Sequence, residues 1–212
     1  MWMISFLRYI WSLMLSSFFP SYCFVCKKEG NTICTECLQR LSLSIDTPYP
    51  FIISVYSFKN QSLKKIIHAI KYFHRKDLIP PITRALIEKL KTNKDEYSSY
   101  CLVPIPMPLL RQYSRGHNHT ESIARQIEKE TGILLHTTLL KRITRKKRQV
   151  MTSSRQERIN NQKGSFIVTG QVAGLSIILI DDVTTTGATL KEARKVLLSH
   201  GASNVCAYTI AH

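Results

Sequence analysis

Ile177-Ile178-Leu179-Ile180-Asp181-Asp182-Val183-Thr184-Thr185-Thr186-Gly187-Ala188-Thr189 decides how the rest of the chain is read. Four consecutive large apolar residues are the mark of a strand buried on both faces, as in a parallel sheet covered by helices. The run ends in two carboxylates, then a threonine-rich turn, then a helix. In parallel sheets ligands sit beyond the carboxyl ends of the strands. A loop opening a helix offers backbone N–H groups and a favourable dipole to an anion. Thr184, Thr185, Thr186 and Thr189 add hydroxyl donors, and Gly187 permits close backbone approach. Two adjacent carboxylates would repel a phosphate, so Asp181 and Asp182 must face sugar hydroxyls or a divalent cation. A phosphate cradle beside a diol-binding acidic pair suits a phosphorylated ribose.

Outward from this junction, strand and helix signals alternate. Residues 51–58, 100–103, 133–140, 165–169, 176–181 and 204–210 read as strands. Residues 61–73 place Leu63, Ile66, Ile67, Ile70 and Phe73 on one helical face. Pro81 can open a helix over 81–91, where a first-turn proline is tolerated. Helices are expected at 117–130, stopped by Gly132, and at 188–200, stopped by Gly201. Such alternation predicts an α/β fold with a mostly parallel sheet flanked by helices.

The N-terminal part is different. Residues 1–20 are strongly apolar, with Leu7, Ile10, Trp11, Met14, Leu15 and Phe18 at helical spacing. Arg8 interrupts the stretch and Pro20 ends it, so it reads as a helix docking on its own protein, with peripheral membrane contact as the alternative. Next come Cys23-x2-Cys26 and Cys34-x2-Cys37, seven residues apart. Two such turns close a tetrahedral four-thiolate shell, for which Zn2+ is the expected metal. A closed shell of this kind is structural. Cys101 and Cys206 lie in apolar runs and read as buried thiols. The composition shift puts a boundary near residues 44–50, giving a 1–45 cysteine-bearing element and a 46–212 α/β domain.

Hydrophobic residues are 44% of the 212, which excludes a disordered chain, and the length supports a core without disulfides. Thirty Lys and Arg against 14 acidic residues give a formal charge of +16, a field that attracts polyanions. Residues 101–164 hold 13 basic and 4 acidic side chains. Arg111 and Arg115 follow the stiff Pro104, Pro106 and Pro108 exit and suit bidentate phosphate contact. Six of residues 141–148 are basic. No aromatic side chain falls within 141–163, so a base-stacking platform is not apparent there.

Residues 177–189 resemble the phosphoribosyl pyrophosphate (PRPP) motif of type I phosphoribosyltransferases. The wider order resembles the competence protein F (ComF) family: a four-cysteine knuckle, Lys71-Tyr72, Val103-Pro104-Ile105-Pro106, Arg115-Gly116-His117-Asn118, then the acidic–threonine loop. His117 and His119 stand where that family usually has an aromatic residue and Gln. The resemblance implies a type I phosphoribosyltransferase fold with a small N-terminal zinc-ribbon-like element. It implies PRPP binding by Asp181, Asp182, Val183, Thr184, Thr185, Thr186, Gly187, Ala188, Thr189, Lys71 and Arg111. Asp181, Asp182 and Arg115 would serve catalysis. Arg142, Gln149, Arg155, Arg158 and Asn160 would belong to a mobile loop closing over the substrate. Mg2+ would accompany PRPP. Two functions follow from the resemblance. One is pentosyl transfer from PRPP in a protein serving DNA uptake and natural transformation, in the cytoplasm or associated with the membrane, with competence-machinery partners. The alternative is a non-catalytic PRPP- or nucleotide-binding module that holds single-stranded DNA through its basic loops.

Overall fold

The computed structural model describes residues 21–44, 47, 49–108, 118–143 and 164–212. The apolar stretch 1–20, Arg111 and Arg115, and Gln149, Arg155, Arg158 and Asn160 lie outside the described residues.

A short helix, α1 (Thr35–Gln39), follows the third cysteine. The first strand is β1 (Ile52–Tyr56) and leads into α2 (Gln61–Tyr72). The Asn60 side chain accepts a hydrogen bond from the Leu63 N–H at 3.1 Å and starts α2. A 3₁₀ turn over Lys76–Leu78 joins it to α3 (Ile79–Thr92). This helix opens two residues before the expected proline start, because Pro80 and Pro81 both fall in its first turn, where an N–H is dispensable. A single turn, α4 (Lys94–Tyr97), precedes β2 (Tyr100–Pro104). Then come α5 (His119–Thr131), β3 (Leu140–Arg142), β4 (Phe166–Val168), β5 (Ser176–Val183), α6 (Ala188–Ser199) and β6 (Asn204–Ala211). Gly132 takes φ +76° and closes α5 in the left-handed region that glycine enters without strain.

Four strands form one sheet in the order β1-β6-β5-β2, each neighbouring pair parallel. The expected parallel α/β sheet is therefore present. Alternation along β5 sorts its side chains between two cores. Ile178 and Ile180 join the cluster containing Leu63, Ile82 and Ile123 of α2, α3 and α5. Ile177 and Leu179 join Leu190, Ala193 and Leu197 of α6 on the other face. Each of the four β5 residues is fully buried, and at roughly 2 kcal/mol per such side chain this strand is a principal anchor of the fold. Cys23, Ile33, Cys37 and Leu41 belong to the first cluster, so the cysteine-bearing segment shares its core with the helices over the sheet.

Two boundaries differ from expectation. Residues 133–139 make no strand: Leu135 forms a single parallel bridge to Leu102, with Leu102 N–H donating to the Leu134 carbonyl at 2.8 Å. The strand begins at Leu140 and pairs antiparallel with β4, so the two arms of the basic segment are tied at Leu140–Val168 and Arg142–Phe166. The strand expected to end at Asp181 continues to Val183, because Asp181 and Val183 pair with Thr209 and Ala211 of β6. The acidic pair thus sits in the last turn of the pleat rather than in the loop.

Candidate functional site

Because Asp181 and Asp182 are consecutive in a strand, their side chains leave on opposite faces. Asp182 follows Ile178 and Ile180 toward α2 and α5. There Lys71 Nζ, from the last turn of α2, lies 2.7 Å from Asp182 Oδ2. The His119 Nε2, from the first residue of α5, contacts the same oxygen. Asn118 places His119: its Oδ1 accepts from the Thr120 N–H at 3.2 Å and caps α5. The other carboxylate oxygen, Oδ1, accepts the Val183 N–H at 2.5 Å. Asp182 is nearly closed off, with its side chain 8% exposed, while Lys71 is 21% exposed. His119 is buried, and its Nδ1 has no hydrogen-bond partner among the described residues.

Asp181 faces the side of α6 and accepts the Asp182 N–H on Oδ1 at 2.9 Å. Burial pushes both carboxyls toward protonation. At Asp182 the His119 hydrogen bond and the Lys71 charge overcome burial and hold the group below the usual carboxylate range, at about 2. At Asp181 burial and the neighbouring Asp182 charge dominate, and the group is pushed up to about 7 despite Lys71 and Arg142. Two adjacent carboxyls are therefore driven apart by different surroundings.

A cavity of about 300 Å³ straddles the end of β5 and takes in Lys71, His119, Arg142, Asp181, Asp182 and Thr189. Its rim includes Pro106 and Pro108 from the stiff exit of β2. Gly187, at φ +68°, turns the chain from β5 into α6, a conformation costly for any residue with a Cβ. Thr186 Oγ1 accepts the Ala188 N–H at 3.4 Å, and the Lys191 N–H donates to the Gly187 carbonyl at 2.8 Å, so the loop is folded onto the helix start. N–H groups in the first turn of a helix have no intrahelical partner, and the helix dipole there favours an anion.

Of the residues expected from sequence, Lys71, Arg142, Asp181, Asp182, Val183 and Thr189 line one cavity. Thr184 and Thr185 instead border a second cavity. His119 joins this site without being among the residues expected from sequence; its signal is its position, one residue after the Asn118 cap.

The four cysteines form a second constellation. Their sulfurs all lie within 4.8 Å of one another, with Cys26 Sγ and Cys34 Sγ 3.7 Å apart. A Zn–S length of about 2.3 Å in a tetrahedron requires sulfurs about 3.8 Å apart, so the donor set fits Zn2+. The knuckle is held by Cys23 N–H to Lys28 O at 2.8 Å, Lys27 N–H to Cys23 O at 2.9 Å and Phe24 N–H to Thr32 O at 2.9 Å. Burial opposes ionisation of Cys23, but hydrogen bonds from the Cys26, Cys34 and Val25 backbone outweigh it and lower that thiol to about 6. Cys37 is pushed up to about 12 by burial and by its thiol neighbours. One thiolate among thiols is a natural first ligand for a metal.

No protein-family model matches the chain. It is 28% identical over 184 residues to Competence protein ComFC of Streptococcus pneumoniae, covering 87% of this chain and 77% of that protein. It is 25% identical over 175 residues to DNA utilization protein YhgH of Salmonella typhimurium, covering 81% and 74%. Among solved structures it is similar to a hypoxanthine phosphoribosyltransferase from Staphylococcus aureus, with TM-score 0.38 and 16% identity over 62% of this chain and 61% of that one. It is likewise similar to a purine phosphoribosyltransferase from Pyrococcus horikoshii, with TM-score 0.34 and 15% identity over 76% and 86%. By sequence the chain is similar to the ComFC and YhgH proteins, and its four-cysteine element stands ahead of a parallel α/β sheet.

Proposed function

We propose that the cavity at the end of β5 binds PRPP or a closely related phosphoribosyl ligand, and that this binding serves DNA uptake or use. The observation that carries the reading is the convergence of Lys71, Arg142, Asp181, Asp182 and Thr189 on one cavity beyond the end of β5. The 5′-phosphate would sit on the N–H groups of the Gly187 turn and the first turn of α6. The ribose hydroxyls would face Asp181 and Asp182. Lys71 and Arg142 would meet the pyrophosphate. Mg2+, arriving on that pyrophosphate, would neutralise leaving-group charge. Arg111 and Arg115, with the segment containing Gln149, Arg155, Arg158 and Asn160, would complete the enclosure and exclude water. On this reading the protein is a phosphoribosyltransferase whose acceptor its relatives' names do not disclose. The four-cysteine knuckle would hold Zn2+ as a structural ion. The ComFC and YhgH names support a role with DNA and with competence-machinery proteins. A cytoplasmic setting suits six free cysteines. Among the described residues no helix is long and apolar enough to cross a membrane, and peripheral contact would rest on residues 1–20.

Ligand-dependent thermal stabilisation tests this reading. A ligand at 100 times its Kd adds about 2.7 kcal/mol to stability. PRPP with Mg2+ at millimolar concentration should raise Tm by several degrees, and no shift there would overturn the reading.

One observation favours single-stranded DNA as a second ligand. Tyr72 and Phe73 are 52% and 66% exposed, and both rings pack against His68, whose ring centroid lies 4.6 Å from that of Tyr72. Lys27, Lys64 and Lys65 border a groove with His68 and Phe73, and Tyr72 lines the β5 cavity next to it. Exposed rings among lysines suit bases stacked along a phosphate backbone. Affinity for a single-stranded oligonucleotide should fall steeply with salt and fall again in Tyr72→Ala/Phe73→Ala. An affinity that ignores both would dismiss this second ligand.

A further inference from the structure

The two carboxylates of the acidic pair are not equally open to a ligand. Asp182 Oδ1 accepts the Val183 N–H at 2.5 Å, and Oδ2 is ion-paired to both Lys71 and His119. A ligand hydroxyl approaching Oδ2 meets those two nitrogens first. At Asp181 it is Oδ1 that accepts the Asp182 N–H, and the residue is partly exposed where it lines the cavity.

The two nitrogens on Asp182 are held differently. His119 is buried at the first position of α5, with buried Thr120 beside it and the Asn118 cap fixing the helix start. Its short side chain is closed in by packing and stays on the carboxylate. Lys71 reaches Asp182 from the last turn of α2 on a flexible four-carbon stem, and it is partly exposed in the wall of the cavity. Lys71 is therefore the partner that can move. Arg142 lines the same cavity. An oligophosphate seated beside Arg142 offers the Lys71 ammonium more negative charge than a single carboxylate does.

We infer that Lys71, Asp182 and His119 act as an exchange clamp. An oligophosphate in the β5 cavity takes Lys71 off Asp182, and Oδ2, still held by His119, then accepts a ribose hydroxyl. The phosphate end and the sugar end of a ligand thus bind with positive coupling. A sugar phosphate alone has to displace Lys71 unaided. His119 is a positioning residue: it keeps a donor on the buried carboxylate while Lys71 is away, where an uncompensated charge would oppose the exchange. The clamp rests on the phosphoribosyl reading of the cavity.

Calorimetry with two probes tests it. The sugar probe is 1,4-anhydroribitol 5-phosphate, a phosphorylated ribose ring with no oxygen on C1, so it can share the cavity with the second probe, pyrophosphate. In the wild type, saturating pyrophosphate with Mg2+ should tighten the sugar probe by about fivefold or more, and the sugar probe should tighten pyrophosphate by the same factor. In Lys71→Met the coupling should vanish, and the sugar probe alone should bind at least as tightly as it binds the wild type. A merely structural Lys71 would instead weaken both probes. His119→Ala should lower the coupling, and His119→Gln, which still offers an N–H to Oδ2, should restore it. Melting curves identify any variant that is not folded, and the wild-type coupling needs no variant. Binding of one probe alone, binding of both without coupling, or coupling that survives in Lys71→Met would overturn the clamp and leave the phosphoribosyl reading standing. Failure of both probes at millimolar concentration would overturn the two together.

Discussion

Lys71, in the last turn of α2, places its ammonium 2.7 Å from Oδ2 of Asp182 near the end of β5. His119 shares that oxygen. A buried carboxylate oxygen between two nitrogens is ion-paired before any ligand arrives, so the site is assembled in advance by charge. Losing Lys71 leaves Asp182 with His119 alone. Lys71→Met should therefore cost about 1–3 kcal/mol of stability, less than a fully buried pair would, because one partner remains. Denaturant unfolding reads this directly. The same variant should bind PRPP at least tenfold more weakly; unchanged stability and affinity would mean that the pair is incidental.

Asp181 predicts a pH dependence of opposite sign from the usual salt-bridged carboxylate. Its folded value lies near 7, above the value of about 3.9 expected for an unfolded Asp. A raised acid is favoured when protonated, so folding loses stability as pH climbs from about 4 through 7. Asp181→Asn removes that loss. It should be more stable than wild type by about 1–3 kcal/mol at pH 8, with the gain vanishing below pH 4. Asp182, held low, acts the other way: its contribution is complete above about pH 4 and is lost as pH falls toward 2. Melting curves across pH 3–8 test both, and an Asp181→Asn protein less stable at pH 8 would contradict the argument.

Gly187 makes the turn between β5 and α6 at φ +68°. An alanine there pays about 1–2 kcal/mol for the left-handed backbone or shifts the loop to avoid it. Gly187→Ala should lower stability by about that amount and weaken binding of ribose 5-phosphate in calorimetric titration. Unchanged affinity would show that the turn does not shape the phosphate site.

The cysteine cluster makes a metal prediction. Purified protein should carry about one Zn2+ per chain by elemental analysis, and Cys34→Ser should lose it. Because Cys23 and Cys37 sit in the core shared with α2 and α3, the variant should also melt at lower temperature. Unchanged metal content in Cys34→Ser would sink the four-thiolate assignment.

Much of this was legible in the chain itself. Ile177–Ile180 gave away a doubly covered strand because both faces of β5 meet apolar helices. The acidic pair and Gly187 marked its carboxyl end. The doubled C-x2-C spacing could place four sulfurs together because each pair spans a single tight turn. Other features depended on tertiary pairing that local pattern does not encode. β5 runs on to Val183 because β6 offers it partners as far as Ala211. Residues 133–139 alternate like a strand, yet they find only one bridge beside β2. In local pattern His119 is an ordinary helix-start residue; only the packing of α5 against β5 brings it to Asp182. The second cavity joins Ser57–Lys59, the threonine loop and His212, segments too distant in sequence to be grouped by any motif.

The central claim, a phosphoribosyl site built on Asp181 and Asp182, is tested most directly by calorimetric titration with PRPP and Mg2+, wild type beside Asp181→Asn/Asp182→Asn. The account predicts saturable binding to the wild type and loss of that binding in a variant that remains folded. Equal affinity in the two proteins, or no binding to the wild type, would contradict it.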